Sequence, residues 1–413
     1  MSIPSRPRLI SLSAIVLFAI TSIAVAQHDP SGVTGGGMIG GSTGRPASKP
    51  ATKPAAKPAT KPVTKPAATT TTPAPRRRTT PTTPVTRPAT TAPTTANADY
   101  YYQQGEALYN SQKYREALEP YLKATQINPS LVSALYRIGW IYNDLEEYDS
   151  AIDTLKRVVS IQPNNAAAQF ELGYAYRKLD RYAEALTAFN QTVRVKPDYA
   201  SAHYEIGWIH NEQKNYDDAV KALKLAISNR SNYADAHSEL GYSLRNLGRY
   251  SEAIEEYQEA IRLKPDMGLA HLGLADVYYY NTKQFAEAAK SYKRGLQLRP
   301  GNATAQYNLA WCYNDLERYS EAVEEMRKAI QLQPNYPEAH NELGYALHQL
   351  NRFAEAVQEY QTAIRQKTDY ASAHYNLGMS YVAMRNRNAA LEQYRILQRI
   401  DSARATKLYN SIK

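Results

Sequence analysis

Cysteine is almost missing. Cys312 is the only one in 413 residues, which excludes an intrachain disulfide and a cysteine-built zinc cluster. Acids are almost missing from the first quarter, where residues 1–97 set Asp29 against 12 lysines and arginines. Aromatics are scarce there as well. Phe18 stands alone, and all 34 tyrosines and all 3 tryptophans come later. Neither a phosphate-cradling G-x-x-x-x-G-K-[ST] nor a zinc-binding H-E-x-x-H occurs, and no carboxylate pair stands out as an acid/base dyad. No catalytic residue, resident metal or cofactor is expected.

The net charge of +10 is therefore uneven. Residues 1–97 carry +11 and residues 98–413 carry −1. A basic partner for nucleic acid would need that charge on a folded surface, so no nucleic acid partner is expected.

The first quarter divides in two. Arg6 and Arg8 precede the one long apolar run, Leu9 to Ala26, which ends Ala24-Val25-Ala26. A basic start, an apolar centre and an A-x-A end mark a secretory signal peptide over 1–26. An uncleaved anchor is the alternative, since 18 residues fall just short of a comfortable span. With no cysteine at the junction, a lipoprotein anchor is not expected. The expected location is exported: periplasmic, cell-surface or secreted. Residues 27–97 are Gly-rich and then built from Lys, Pro, Thr and Ala, with 15 of the 23 prolines before residue 98. Such a segment has no apolar surface to bury and reads as a disordered, semi-rigid spacer. At ~3.1 Å per residue, residues 45–97 would reach on the order of 160 Å. The spacer is expected to hold the folded part off an envelope surface. A second reading adds anionic envelope polymers or lipid headgroups as its partners.

From residue 98 the chain repeats itself. YREALEPYLKATQINP (114–129), YDSAIDTLKRVVSIQP (148–163), YAEALTAFNQTVRVKP (182–197) and YSEAIEEYQEAIRLKP (250–265) share one phase, with successive phases 34 residues apart. Nine units fit: 98–131, 132–165, 166–199, 200–233, 234–267, 268–302, 303–336, 337–370 and 371–404; the sixth has one extra residue near Tyr280-Asn281-Thr282. Position eight is small (Gly105, Gly139, Gly173, Gly207, Gly241, Ala275, Ala310, Gly344, Gly378). Position twenty is alanine in eight units, from Ala117 to Ala390, and a proline near position thirty-two closes six of the nine units. Leu135, Ile138, Gly139 and Tyr142 lie at i, i+3, i+4, i+7, one face of a helix. A small residue at its centre lets a second helix come close, and proline ends that helix.

This pattern resembles the tetratricopeptide repeat family, whose unit is a 34-residue helix–turn–helix. The resemblance covers about 98–404 and implies an all-α, right-handed superhelical solenoid of nine units. A capping helix over 402–413 is expected to follow, because Ala405, Leu408, Tyr409 and Ile412 keep the same spacing, and Asp401 or Ser402 is placed to cap it.

In solenoids of this family, positions five, nine and twelve of the first helix line the concave groove. Position nine reads Glu106, Trp140, Tyr174, Trp208, Tyr242, Asp276, Trp311, Tyr345, Met379, so every tryptophan occupies it. Position twelve adds Asn143, Arg177, Asn211, Arg245, Asn314 and His348, and position five adds Tyr102, Tyr136, Phe170, Tyr204, Tyr307 and Tyr375. The array thus has a longer period of two units, as copying a two-unit block would leave. Two readings stand side by side. Either these residues were copied with the scaffold and pack on neighbouring helices, or they form a ladder of rings with amide and guanidinium groups that binds a repetitive, extended ligand. The carboxylate-gripping clamp of some relatives needs Lys and Asn at positions five and nine; position nine is mostly aromatic here, so that clamp is absent. An asparagine ladder at position six is absent too (Glu171, Glu205, Glu239, Glu342).

The expected function is a non-enzymatic protein–protein interaction scaffold of the envelope or surface that binds an extended peptide in the groove. Alternatives are a cell-wall or surface glycan binder, with rings stacking on sugars, and an accessory subunit or chaperone of an envelope enzyme or secretion assembly. His203, His237, His271, His340 and His374 share position four, each one repeat from the next and so too far apart for one ion; they read as packing residues, as does Cys312.

Overall fold

A computed structural model describes residues 97–413. The signal and spacer segments expected over 1–96 lie outside the described residues.

Every unit is a pair of antiparallel helices, here helix A and helix B. In unit two they are Val132–Asp144 and Tyr148–Ile161, and in unit seven Ala303–Asp315 and Tyr319–Leu332. Helix A fills positions 1–13 and helix B positions 17–30 of the frame read from the sequence. Helix B packs on its own helix A and on the next one, which stacks the units in a line. The described residues are helical and form an all-α repeat array.

The packing reason is visible at position eight. A Cβ on Gly139 would lie 2.5 Å from Leu155 Cγ, one on Gly173 2.7 Å from Phe189, and one on Gly344 2.7 Å from Tyr360. The absent side chain is the space that the large position-24 residue of helix B fills. Position-twenty alanines such as Ala151, Ala185 and Ala219 are fully buried at the same crossing. The turn from helix A to helix B contains a left-handed residue in each unit, filled by Gly248 in unit five and by Glu146, Asp180 or Lys214 in its neighbours.

Unit six absorbs its extra residue inside helix A. Gly268–Asp276 continues as a π-helical segment, Val277–Asn281, before helix B, Phe285–Leu298. This bulge contains the tyrosine run. Its far end is tied by Tyr280, whose hydroxyl donates to Asn308 Oδ1 at 2.9 Å. Asn308 Nδ2 reaches the Tyr292 hydroxyl at 3.2 Å, and Tyr292 donates to Asp276 Oδ1 at 2.6 Å.

The last helix, Ser402–Ile412, closes the stack. Asp401 caps it by accepting from Arg404 N at 2.9 Å, and Ala405, Leu408 and Ile412 are buried. Tyr409 instead sits at the edge, stacked 5.0 Å from Tyr394.

Candidate ligand-binding groove

Position nine does not present free rings. Trp140 is only 8% exposed and is met edge-on by Tyr109 at 5.2 Å and Tyr114 at 5.1 Å. The same contact recurs along the array. Trp208 meets Tyr182, Tyr242 meets Tyr216 and Tyr345 meets Tyr319, with centroids 6.1–6.3 Å apart and rings near perpendicular. In each case the position-nine ring abuts the first tyrosine of the preceding helix B, an edge-to-face arrangement that fixes its orientation. Tyr174, Trp208, Tyr242, Trp311 and Tyr345 keep part of their surface in solvent. Trp311 also packs on Tyr307 at 6.2 Å.

The position-twelve groups point into the next unit. Asn143, buried, donates to Glu171 O and Glu171 Oε2, both at 3.0 Å. Asn211 does the same to Glu239 O at 3.2 Å and Glu239 Oε2 at 3.1 Å, and its own Oδ1 accepts from Ser243 Oγ at 2.6 Å. Arg177 Nε pairs with Glu205 Oε2 at 2.7 Å, and its guanidinium lies over the rings of Trp208 and Tyr174, 4.8 and 5.2 Å from their centroids. Arg245 pairs with Asp276 Oδ2 at 2.8 Å. His348 Nδ1 meets Ser380 Oγ at 2.8 Å. The six residues expected to read a ligand thus bind the scaffold in five cases. Asn314 is the sixth: it is buried, and neither atom of its amide has a hydrogen-bond partner.

The acids at position six are what the sequence reading missed. They signalled only that an asparagine ladder was absent, whereas Glu171, Glu205 and Glu239 receive the position-twelve groups of the preceding unit. Burial pushes the Glu171 carboxyl up to about 7 against the pull of the Asn143 amide. The equivalent Glu342 bonds Asn341 Nδ2 instead, at 2.8 Å, and burial, with Asp315 nearby, pushes it up to about 8. Asp315 itself is raised by burial to about 6. Unit one inverts the scheme: Arg137, at position six, pairs with Glu106 at 2.8 Å and covers Tyr109.

Position five forms a further row of ring pairs. Phe170 stacks on Tyr199, Tyr204 on Tyr233 and Tyr307 on Tyr336, each at 5.0 Å. Tyr102 packs on Tyr121 at 5.8 Å. Tyr136 and Tyr375 are half-buried.

The position-four histidines are clamps as well as packing residues. His203 Nε2 meets Pro197 O at 2.8 Å, and His237 bridges Ser231 O at 3.1 Å and Glu256 Oε2 at 2.6 Å. His340 meets Glu359 at 2.6 Å, and His374 bridges Gln393 and Thr368 O. His271 also reaches back, to Pro265 O at 3.1 Å. His203, His237, His271 and His374 tie the end of one unit to the next, whereas the His340 bond lies within unit eight. Burial opposes charge on His237, but its bonds to Glu256 and Ser231 hold it above the usual histidine range. Burial lowers His271 against its bond to Pro265 O. Among the described residues, no three His, Cys, Asp or Glu side chains gather as a metal site. Cys312 is fully buried, which pushes its thiol up.

Comparison with known proteins agrees with the repeat. Models described as tetratricopeptide repeat match residues 170–236, 238–303, 272–337, 325–358 and 98–131, and a model described as TPR repeat matches 139–180 and 344–384. All are repeat models, and none is of an enzyme family. No curated protein matches the chain. Among solved structures, the chain is similar to YrrB, titled a TPR protein with an unusual peptide-binding site (23% identity, 46% of this chain and 99% of that one, TM-score 0.44). It is similar to MamA (26%, 42% and 94%, TM-score 0.38) and to the C-terminal part of a TPR repeat-containing protein from Cytophaga hutchinsonii (18%, 59% and 99%, TM-score 0.49). With family models running from residue 98 to 384 over helix pairs of one fixed frame, the chain belongs to the tetratricopeptide repeat family.

Proposed function

We propose that this chain is a non-catalytic interaction scaffold, exported to the envelope or surface, which binds an extended segment of another protein along the face carrying positions five and nine. The observation that carries the reading is the row of partly exposed rings Tyr174, Trp208, Tyr242, Trp311 and Tyr345, three of them held edge-on by a tyrosine of the unit before. Rings with fixed orientation lose little entropy on binding and supply large contact area. Units stack about 10 Å apart, and an extended peptide covers that in about three residues. A periodic segment could therefore place a side chain on successive rings.

The locked position-twelve groups favour peptide over glycan. Sugar recognition needs free donors and acceptors beside the stacking ring, and Asn143, Asn211, Arg177 and Arg245 are committed to the neighbouring unit. Membership of a repeat family that typically serves as a protein scaffold points the same way. The basic segment before residue 97 would then act as a tether, with anionic envelope polymer or lipid headgroups as its partners.

Titration of the full chain with proline- and tyrosine-containing peptide pools, muropeptides and soluble glycans tests this by tryptophan emission. Peptide-induced change that disappears in Trp208→Ala is the expected result. A ligand that binds with unaltered emission and unaltered affinity for Trp208→Ala overturns the ring row as the site.

A further inference from the structure

Position 34, the last residue of a standard unit, is tyrosine in units three, four, seven and eight: Tyr199, Tyr233, Tyr336 and Tyr370. Three of these rings stack on the position-five ring of their own unit at 5.0 Å, with Phe170, Tyr204 and Tyr307 as the partners. In two of the four the hydroxyl has a partner as well. That of Tyr233 is set against Ser201, and that of Tyr336 against Thr304, both at position two. A position-five ring and a position-two hydroxyl together make the seat of a phenol.

Unit two has the seat without the phenol. Its position five is Tyr136 and its position two is Ser133, but its position 34 is Asn165. The shorter Asn165 turns back to cap the following helix, accepting from Ala168 N at 3.1 Å. Where units three, four and seven carry a tyrosine ring, an open cleft of about 670 Å³ remains, lined by Ser130, Leu131, Ser133, Tyr136, Asn165 and Ala167. Ser133 is solvent-exposed and also lies against the Tyr102 hydroxyl, so its oxygen is available to a second partner. The chain preceding the array holds no tyrosine, and so cannot supply the missing group itself.

We propose that this cleft is a binding pocket for a tyrosyl side chain of an extended partner segment, which takes the place that Tyr199, Tyr233 and Tyr336 hold in their own units. The ring stacks on Tyr136 and the phenol hydroxyl bonds Ser133. The proposal rests on the peptide-binding reading and gives it one specific anchor near the N-terminal end of the array.

N-acetyl-L-tyrosinamide is the probe, observed by saturation-transfer NMR of its ring protons on the full chain. Saturable binding is expected, with N-acetyl-L-phenylalaninamide weaker by about fivefold for want of one hydrogen bond. The decisive variant is Asn165→Tyr, which fills the cleft with the chain's own ring as units three, four and seven do. It should weaken binding of the probe by more than about tenfold while keeping the helical dichroism and a cooperative unfolding transition, so loss of fold cannot mimic the result. Failure of the wild type to bind, equal binding of the phenylalanine analogue, or unchanged binding to Asn165→Tyr overturns the proposal. Peptides without tyrosine that still alter Trp208 emission in Asn165→Tyr keep the wider groove reading separate from this pocket.

Discussion

The Asn211 side chain donates to both the backbone carbonyl and the carboxylate of Glu239, at 3.2 and 3.1 Å, and so joins unit four to unit five through one amide. Asn143 and Glu171 repeat the contact between units two and three at 3.0 Å. Asn211→Ala should destabilise the chain by about 1–3 kcal/mol, because it strands buried acceptors as well as losing the bonds. Urea unfolding followed by far-ultraviolet dichroism measures it. A loss below about 0.5 kcal/mol would mean that the amide is free for ligand after all.

Arg177 tests the same idea with charge. Its side chain and that of Glu205 are 17% and 9% exposed, and the guanidinium also lies on Trp208. Removing one partner of a buried pair leaves the other uncompensated, which costs about 3–5 kcal/mol when burial is complete. Arg177→Ala should approach the lower end of that range and shift Trp208 emission. Arg177→Lys should recover little, since a point charge cannot pair with the acid and cover a ring together. Full recovery by lysine would show that charge alone matters there.

How much of this was readable in the chain depends on how far apart the interacting residues lie. Positions eight, twenty and thirty-two show the frame directly, because each acts within one helix pair, and the helix bounds follow that frame. The Asn143–Glu171 and Asn211–Glu239 links join residues 28 apart in neighbouring units, and nothing in a 3.6-residue period reports them. Position twelve therefore read as a ligand-facing row, although Asn143, Arg177 and Asn211 were spoken for by glutamates noted only for not being asparagine. The extra residue of unit six was countable, but whether it lengthened a turn or bulged a helix depends on where Tyr280 finds Asn308.

Gly139 sets two effects against each other. Alanine is the better helix former by about 1 kcal/mol, but its Cβ would stand 2.5 Å from Leu155 Cγ. Overpacking typically costs about 1–3 kcal/mol, so Gly139→Ala should be net destabilising. Gly139→Ala paired with Leu155→Ala should cost less than the two single changes summed, because the second change vacates the space. A stabilising single variant would show that the two helices can part without penalty.

The Glu342 carboxyl gives a pH signature. Its folded value, about 8, lies above the ordinary carboxylate range, so the folded chain binds a proton that the unfolded chain releases. The contribution is fully present below about pH 4.5 and is lost as pH rises through about 8. Glu171 and Asp315, also raised, act in the same direction below their own values. Stability should therefore fall between pH 5 and 8. Glu342→Gln, neutral throughout, should flatten that slope and exceed the wild type at pH 9. Parallel urea midpoints for the two proteins across this range would remove Glu342 as its source.

The three tryptophans, equal in the repeat, should differ in solution. Trp140 is enclosed by Tyr109 and Tyr114, whereas Trp208 and Trp311 keep part of their rings in solvent. Acrylamide should quench a variant retaining Trp140 alone several-fold less than one retaining Trp208 alone, with phenylalanine at the other two positions. The same pair of variants divides the row by function: ligand should alter emission from Trp208 and leave Trp140 nearly silent. If Trp140 responds as strongly as Trp208, its ring is open to ligand, and the ring row begins one repeat earlier than its burial indicates.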